Sequence, residues 1–245
     1  MTKDGRPSRL NDIRYFHGSL HSYLEGHHEE VAFARRLAWF LNGEGFSVGS
    51  YPALYIFFTP SIDPGAIQVT DYGGDWWQRY TYVGVPADFP NNPDAKNQIK
   101  QGTVAALATI RPEQADEIRN AAKVVDLYGE DLRFLLKTRT TKRFRTEISF
   151  SIAAWPEPSS LFVSLTELAS GDFLETTPIP LRFYFEAFDL AGSIKVTDST
   201  ATLAPNQSVA AKLASMHHGG PLTKAISDFS PSERPMMSRL ISRRG

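Results

Sequence analysis

The stretch 145-RTEISFSIAAW-155 alternates with period two, placing Ile148, Phe150 and Ile152 on one side and Glu147, Ser149 and Ser151 on the other. Successive side chains of a strand point to opposite faces of a sheet, so the pattern predicts a strand with one buried face. The basic lead-in 137-KTRTTKRFR-145 is its hairpin partner and turn. Downstream, 160-SLFVSLTEL-168, 181-LRFYFEAFDL-190 and 192-GSIKV-196 continue as strands. Pro178 and Pro180 remove ladder donors and leave the piece between as loop or edge.

Upstream the periods mix. From Glu29, the residues Val31, Ala34, Leu37, Ala38 and Leu41 recur at the three-four spacing of one helix face until Gly43 and Gly45 stop it. Phe33, Trp39 and Phe40 widen the stripe, as in a helix packed on more than one side. The segments 53-ALYIFFT-59, 66-AIQVTDY-72 and 79-RYTYVGVPADF-89 read as strands, and 12-DIRYFHGSL-20 as an extended entry. A helix begins at 91-NNPD-94, with Asn92 as cap and Pro93 in first position, and another at 112-PEQADEI-118, with Ile118, Ala122 and Val125 as its stripe. A last helix, 205-PNQSVAAKLASM-216, places Val209, Leu213 and Met216 on one side.

These elements make an α+β protein of mostly antiparallel sheets packed with about four helices. A loose echo between 52-PALYIFFTPSIDPGAI-67 and 158-PSSLFVSLTELASGDF-173 allows two similar halves, 10–110 and 111–229, within one domain over 10–229. Residues 1–9 read as a flexible start. Residues 230–245, where 231-PSERPMMSRLISRRG-245 lacks apolar periodicity, read as a basic flexible tail.

The composition narrows the chemistry. Of 245 residues, 42% are hydrophobic and 22% charged, which is ordinary for a globular chain. No apolar run approaches the roughly 20 residues that span a bilayer and no signal peptide opens the sequence, so a cytoplasmic, non-membrane protein is expected. The absence of cysteine excludes disulfides, thiolate metal sites and thiol nucleophiles. Net charge is −1 but uneven: residues 111–150 carry nine Lys/Arg against seven Asp/Glu, and residues 151–200 two against seven, enough for an acidic face.

Motifs for catalysis fail on context. In 45-GFSVG-49 the serine of a G-x-S-x-G pattern follows a helix and precedes a strand, the reverse of a nucleophile elbow. The 217-HHGG-220 tetrapeptide lies too near the far end to serve as an oxyanion sequence. The five basic residues of 137–145 suit a solvated hairpin edge better than a nucleic-acid stripe in a neutral chain. No phosphate loop, dinucleotide loop or EF-hand is present, so no cofactor is indicated.

Four histidines, His17, His21, His27 and His28, crowd into 15-YFHGSLHSYLEGHHEE-30. Gly18 argues against a helix joining His17 to His21, and on a strand their Cα atoms stand about 13 Å apart, too far for two bonds of roughly 2 Å to one zinc ion. His27 and His28 sit where a helix begins, with Glu29 and Glu30 suited to its positive end. A hydrolase or metal-dependent enzyme using segment 17–28 is the alternative reading.

The remaining conspicuous stretch is 71-DYGGDWWQRY-80. Paired tryptophans in a glycine-rich loop are either core plugs or anchors for a protein partner, since Trp and Tyr dominate binding hot spots. Asp71, Asp75, Trp76, Trp77 and Tyr80 are the candidate partner-binding residues.

The run 54-LYIFFTPSIDPGAIQVTDYGGDWWQRYTYVGVPADF-89, followed by the short helices and 146-TEISFSIAAWPEPSSLFVSLTEL-168, resembles cytoplasmic immunity proteins of bacterial polymorphic toxin and type VI secretion systems, over residues 10 to 200. The resemblance implies a non-enzymatic partner protein that neutralises a cognate toxin by covering its active site, and carries no functional residue with it. The acidic bias of residues 151–200, with Asp63, Asp71, Asp75 and Asp88, suits a basic toxin surface.

Overall fold

The computed structural model describes residues 7–18 and 22–242. The chain is α+β and divides into two compact units, 1–129 with 242–245, and 130–241.

The first unit is built on a mixed sheet. Its strands are β1 (Asp12–His17), β2 (Ala53–Thr59), β3 (Ile67–Val69) and β4 (Gln78–Gly84), in the order β1-β2-β4-β3. β1, β2 and β4 run parallel and β3 antiparallel to β4. Adjacent parallel strands need a long crossover, and α1 (His28–Gly43) supplies it between β1 and β2. α2 (Ala95–Ile110) and α3 (Ala115–Tyr128) follow β4. β2 is buried along its whole length, as a strand covered on both faces must be.

One sheet face carries Tyr15, Phe58 and Val83 toward α2. Thr103 of α2 donates its hydroxyl proton to the Ile99 carbonyl at 2.7 Å, so the Tyr15 phenol, 2.6 Å away, donates to Thr103. Burial pushes that phenol above its ordinary pKa. Gly102 lets α2 approach closely: a Cβ there would lie 2.8 Å from Val83 Cγ1 and 3.0 Å from Phe58. Asn92 and Pro93, expected as cap and first helical position, fall in the turn before α2, whose N-cap is Asp94; the Asn92 side-chain oxygen accepts the Asp94 backbone N–H at 3.1 Å in that turn.

The named strands of the second unit all pair antiparallel, and an isolated parallel bridge joins Arg133 to Met237. β5 (Phe134–Thr140), β6 (Phe144–Phe150), β7 (Ser159–Glu167) and β8 (Phe173–Glu175) form a meander, with β9 (Ile179–Leu181) also on β7. α4 (Glu186–Leu190) leads to a small sheet of β10 (Ser193–Val196), β11 (Thr200–Ala204) and β12 (Leu222–Ala225), with α5 (Val209–His217) between its last two strands. The two echoing segments are therefore paired differently: Ala53–Thr59 lies between parallel neighbours and Ser159–Glu167 between antiparallel ones.

Three expectations change. Residues 181–190, expected to be one strand, end β9 at Leu181 and turn into α4, where Arg182 donates to the Glu186 carboxylate from both its backbone N–H and its side chain. The polar face of β6 is not solvated: Glu147, Ser149 and Ser151 are 2%, 0% and 8% exposed.

The third change is at the end of the chain, which is not loose over its described residues. β13 (Ser230–Pro231) pairs with the free edge of β8, and Ser232 donates to the Phe173 carbonyl. Arg234 then crosses the sheet to Glu147 Oε2 at 2.8 Å and Thr166 Oγ1 at 2.7 Å. Arg133 donates to the Met236 carbonyl, Ser238 to that of Arg133 and Ile241 to that of Leu135. These groups of Arg133 and Leu135 point away from β6, so the segment pairs at both edges of the meander. Its ends would lie five strand spacings apart in a flat sheet, about 24 Å. The four steps from Ser232 to Met236 reach at most about 14 Å. The sheet is thus curled, and residues 230–241 strap its edges together over the polar face. The ion pair of Arg133, beside β5, with Glu175 of β8 has the same cause.

Candidate functional site

The candidate site is the loop over residues 70–77 that leads into β4, with the aromatic sheet face beside it. Phe16, Tyr55, Phe57 and Tyr80 form a buried cluster on the face opposite α2, with Trp77 and Tyr82 packed against it. Their rings meet at short range: Phe16 and Phe57 at 5.0 Å, Phe57 and Tyr82 at 5.2 Å, Tyr55 and Tyr80 at 6.0 Å. The Arg14 guanidinium lies over the rings of Tyr55 and Trp77, and Asp12 accepts its Nε–H at 2.6 Å. Burial, partly offset by the nearby Arg14 charge, pushes the Tyr55 phenol up to about 12.

The loop is held at several points. Tyr51 donates to the Asp71 carbonyl at 2.6 Å. Arg79 donates to the carbonyls of Thr70 and Val48 and to Asp71 Oδ1, at 3.0, 2.9 and 3.3 Å. Gln78 donates to Asp75 through its backbone at 3.1 Å and its amide at 3.2 Å, while its side-chain oxygen accepts the Tyr80 hydroxyl at 3.0 Å. No side chain fits at the two glycines: a Cβ on Gly73 would lie 2.2 Å from the Gln78 carbonyl oxygen, and one on Gly74 2.4 Å from the Tyr80 hydroxyl.

The five residues singled out from sequence divide by depth. Trp76 is 81% exposed. Asp71 and Asp75 are exposed on either side of the two glycines. Trp77 is half-buried, its ring edge-on to Tyr55 at 5.7 Å. Tyr80 is 6% exposed and serves as floor, not contact. Tyr72 and Tyr23, at 65% and 59% exposure, add to the aromatic surface of the unit. The loop over residues 70–77 holds two Asp and no Lys or Arg, and Arg79 pairs with the first of them, Asp71. Of the acidic residues expected to form a face over 151–200, Glu175, Glu186 and Asp189 are buried and Glu167 is paired with Arg143, which leaves Glu157, Asp172 and Asp198 exposed.

The other motifs resolve into local structure. Ser47 Oγ donates to the Gly49 carbonyl at 2.9 Å and accepts the Gly49 N–H at 3.1 Å, which closes a turn. His217 ends α5, and Gly219 and Gly220 have positive φ in the turn that follows. His17 lies edge-on to Phe89 at 5.7 Å. His27 precedes α1, with Nδ1 3.6 Å from Glu30 Oε2, and His28 is exposed at its first position. His21 lies outside the described residues. Among the described residues no group of three or more His, Asp or Glu is placed to hold a metal ion, and no helix is long and apolar enough to cross a membrane.

One surface escaped the sequence reading. Val209, Leu213 and Met216 do share a side of α5, but they are 74%, 59% and 75% exposed, and the helix packs through Ala211, Ala214 and Ser215. Phe183 and Phe185 are also exposed, with rings stacked at 5.2 Å. The signal lay in the small residues, since a helix approaches its neighbour most closely where side chains are short.

No family model, curated protein or solved structure matches the chain.

Proposed function

We propose that the protein is a non-enzymatic, immunity-type binding protein that engages a partner protein through the loop over residues 70–77, with Trp76 as the anchor. The observation that supports this reading is the exposure of Trp76 on a loop whose backbone is fixed from both sides and whose glycines leave no slack. An exposed indole loses contact with water only when something covers it, and a loop already ordered has little conformational entropy left to lose on binding. Asp71 and Asp75 beside it favour a basic partner, because complementary charge speeds encounter and penalises wrong partners. The resemblance to toxin-neutralising immunity proteins gives the partner its class: a toxin whose active site the loop covers, met in the cytoplasm.

The test uses a toxin encoded beside this chain's gene. The wild-type chain is expected to restore growth and to bind the purified toxin. Trp76→Ala should weaken binding at least about thirtyfold, the scale of a hot-spot residue at 2 kcal/mol or more. Asp75→Lys should act mainly on the association rate. Undiminished binding by both folded variants would remove this surface, and no binding by the wild type would remove the toxin-neutralising reading for that partner.

A further inference from the structure

We propose that residues 230–241 form a latch, held shut by Arg234 in the carboxylate of Glu147, whose opening uncovers both edges of the β5–β8 sheet for pairing with a second copy of the chain. The segment pairs with β8 at one end and with Arg133 and Leu135 at the other, and Arg234 is the side chain that ties its middle to the sheet face. That tie is built to release. The Arg234 side chain is 47% exposed, so water is ready to solvate it. Glu147, only 2% exposed, keeps a second cation, Arg145 NH2 at 3.0 Å, when Arg234 leaves. Opening therefore strands no buried unpaired carboxylate, the usual large cost of breaking such a contact.

The rest of the strap is open to water at its first half and buried in places at its second. Ser230, Pro231, Ser232, Glu233 and Met236 are exposed, whereas Ser238 and Ile241 are buried at 5% and 4%. What it protects is considerable. Phe173–Glu175 on one side and the outward N–H and C=O groups of Arg133 and Leu135 on the other are strand edges, which pair with other chains when left open. Two open edges on one unit match each other in a second copy, which fixes the occupant.

The lack of cysteine gives a clean probe. Ser238→Cys places the chain's single thiol at a position buried under the closed strap. Maleimide labelling of this thiol should run at least about tenfold faster when Arg234→Ala is added, an opening easier by 1.4 kcal/mol, and Arg234→Lys should fall between. Circular dichroism checks that the fold is kept; if Arg234→Ala unfolds, the Lys variant carries the test. Light scattering on the full chain should show the Arg234 variant associating into dimers as concentration rises while the wild type stays as it was. Equal labelling rates would overturn the latch, and fast labelling without added association would overturn the pairing with a second copy.

Discussion

Trp76 and Tyr80 are four residues apart and have opposite roles. The first is exposed and the second is the floor that fixes Gly74 beneath it. Trp76→Ala should therefore leave the melting temperature nearly unchanged, since surface substitutions away from packing lie within about 0.5 kcal/mol. A large drop in Tm would show that the indole is part of the core. His218 offers a second check at this scale. It follows α5, and burial is the main cause holding its pKa below the ordinary value, with His217 and Arg182 adding to the effect and Glu186 opposing it. The unfolded chain then takes up the proton more readily than the folded one. The neutral ring's contribution to stability is complete above the ordinary histidine pKa of about 6.5 and declines as pH falls through it toward the lower folded value. Melting curves between pH 7.5 and 5.5 should show a steeper fall for the wild type than for His218→Gln; parallel curves would contradict this.

At the scale of elements, the helix and strand periods were legible because burial on one side leaves a regular mark. α1, α2 and α3 begin and end close to their sequence signals, as do β2 and β7. Where the pattern misled most, a buried carboxylate had found an arginine. Glu147 and Ser149 on β6 look solvent-facing by hydropathy, yet Arg145 and Arg234 satisfy the carboxylate under the strap. No local period announces an arginine 87 residues away. In the same way, Arg182 and Glu186 convert an aromatic run into a helical turn. α2 meets β2 and β4 at close range at Gly102. Gly102→Ala gains helix propensity of about 1 kcal/mol but forces Val83 and Phe58 aside, and overpacking of this kind costs about 1–3 kcal/mol. The net expectation is destabilisation of about 1 kcal/mol in chemical denaturation, and a stabilised variant would show that the contact has room to give.

For the whole molecule, the fold class was readable from the sequence and the candidate surface only in part. The tryptophan-bearing loop was conspicuous in composition, but which of Trp76 and Trp77 faces water depends on Tyr55 and Arg14, residues brought alongside by the parallel pairing of β1 with β2 and the position of β4. The acidic bias over residues 151–200 was real in composition, but Glu175, Glu186 and Asp189 are buried, because charge counts carry no information about burial. The field left at the loop comes from Asp71 and Asp75, both exposed. Association with a basic partner should therefore slow as salt rises from low to physiological levels, where the screening length shortens to about 8 Å. A rate indifferent to salt would remove the electrostatic part of the proposal. The central claim, that the clamped loop presents Trp76 to a partner protein, is tested most directly by growth rescue against the adjacent toxin with wild type and Trp76→Ala expressed at equal levels. Rescue by the wild type and its loss in the folded variant is the expected result; equal rescue by both would contradict it.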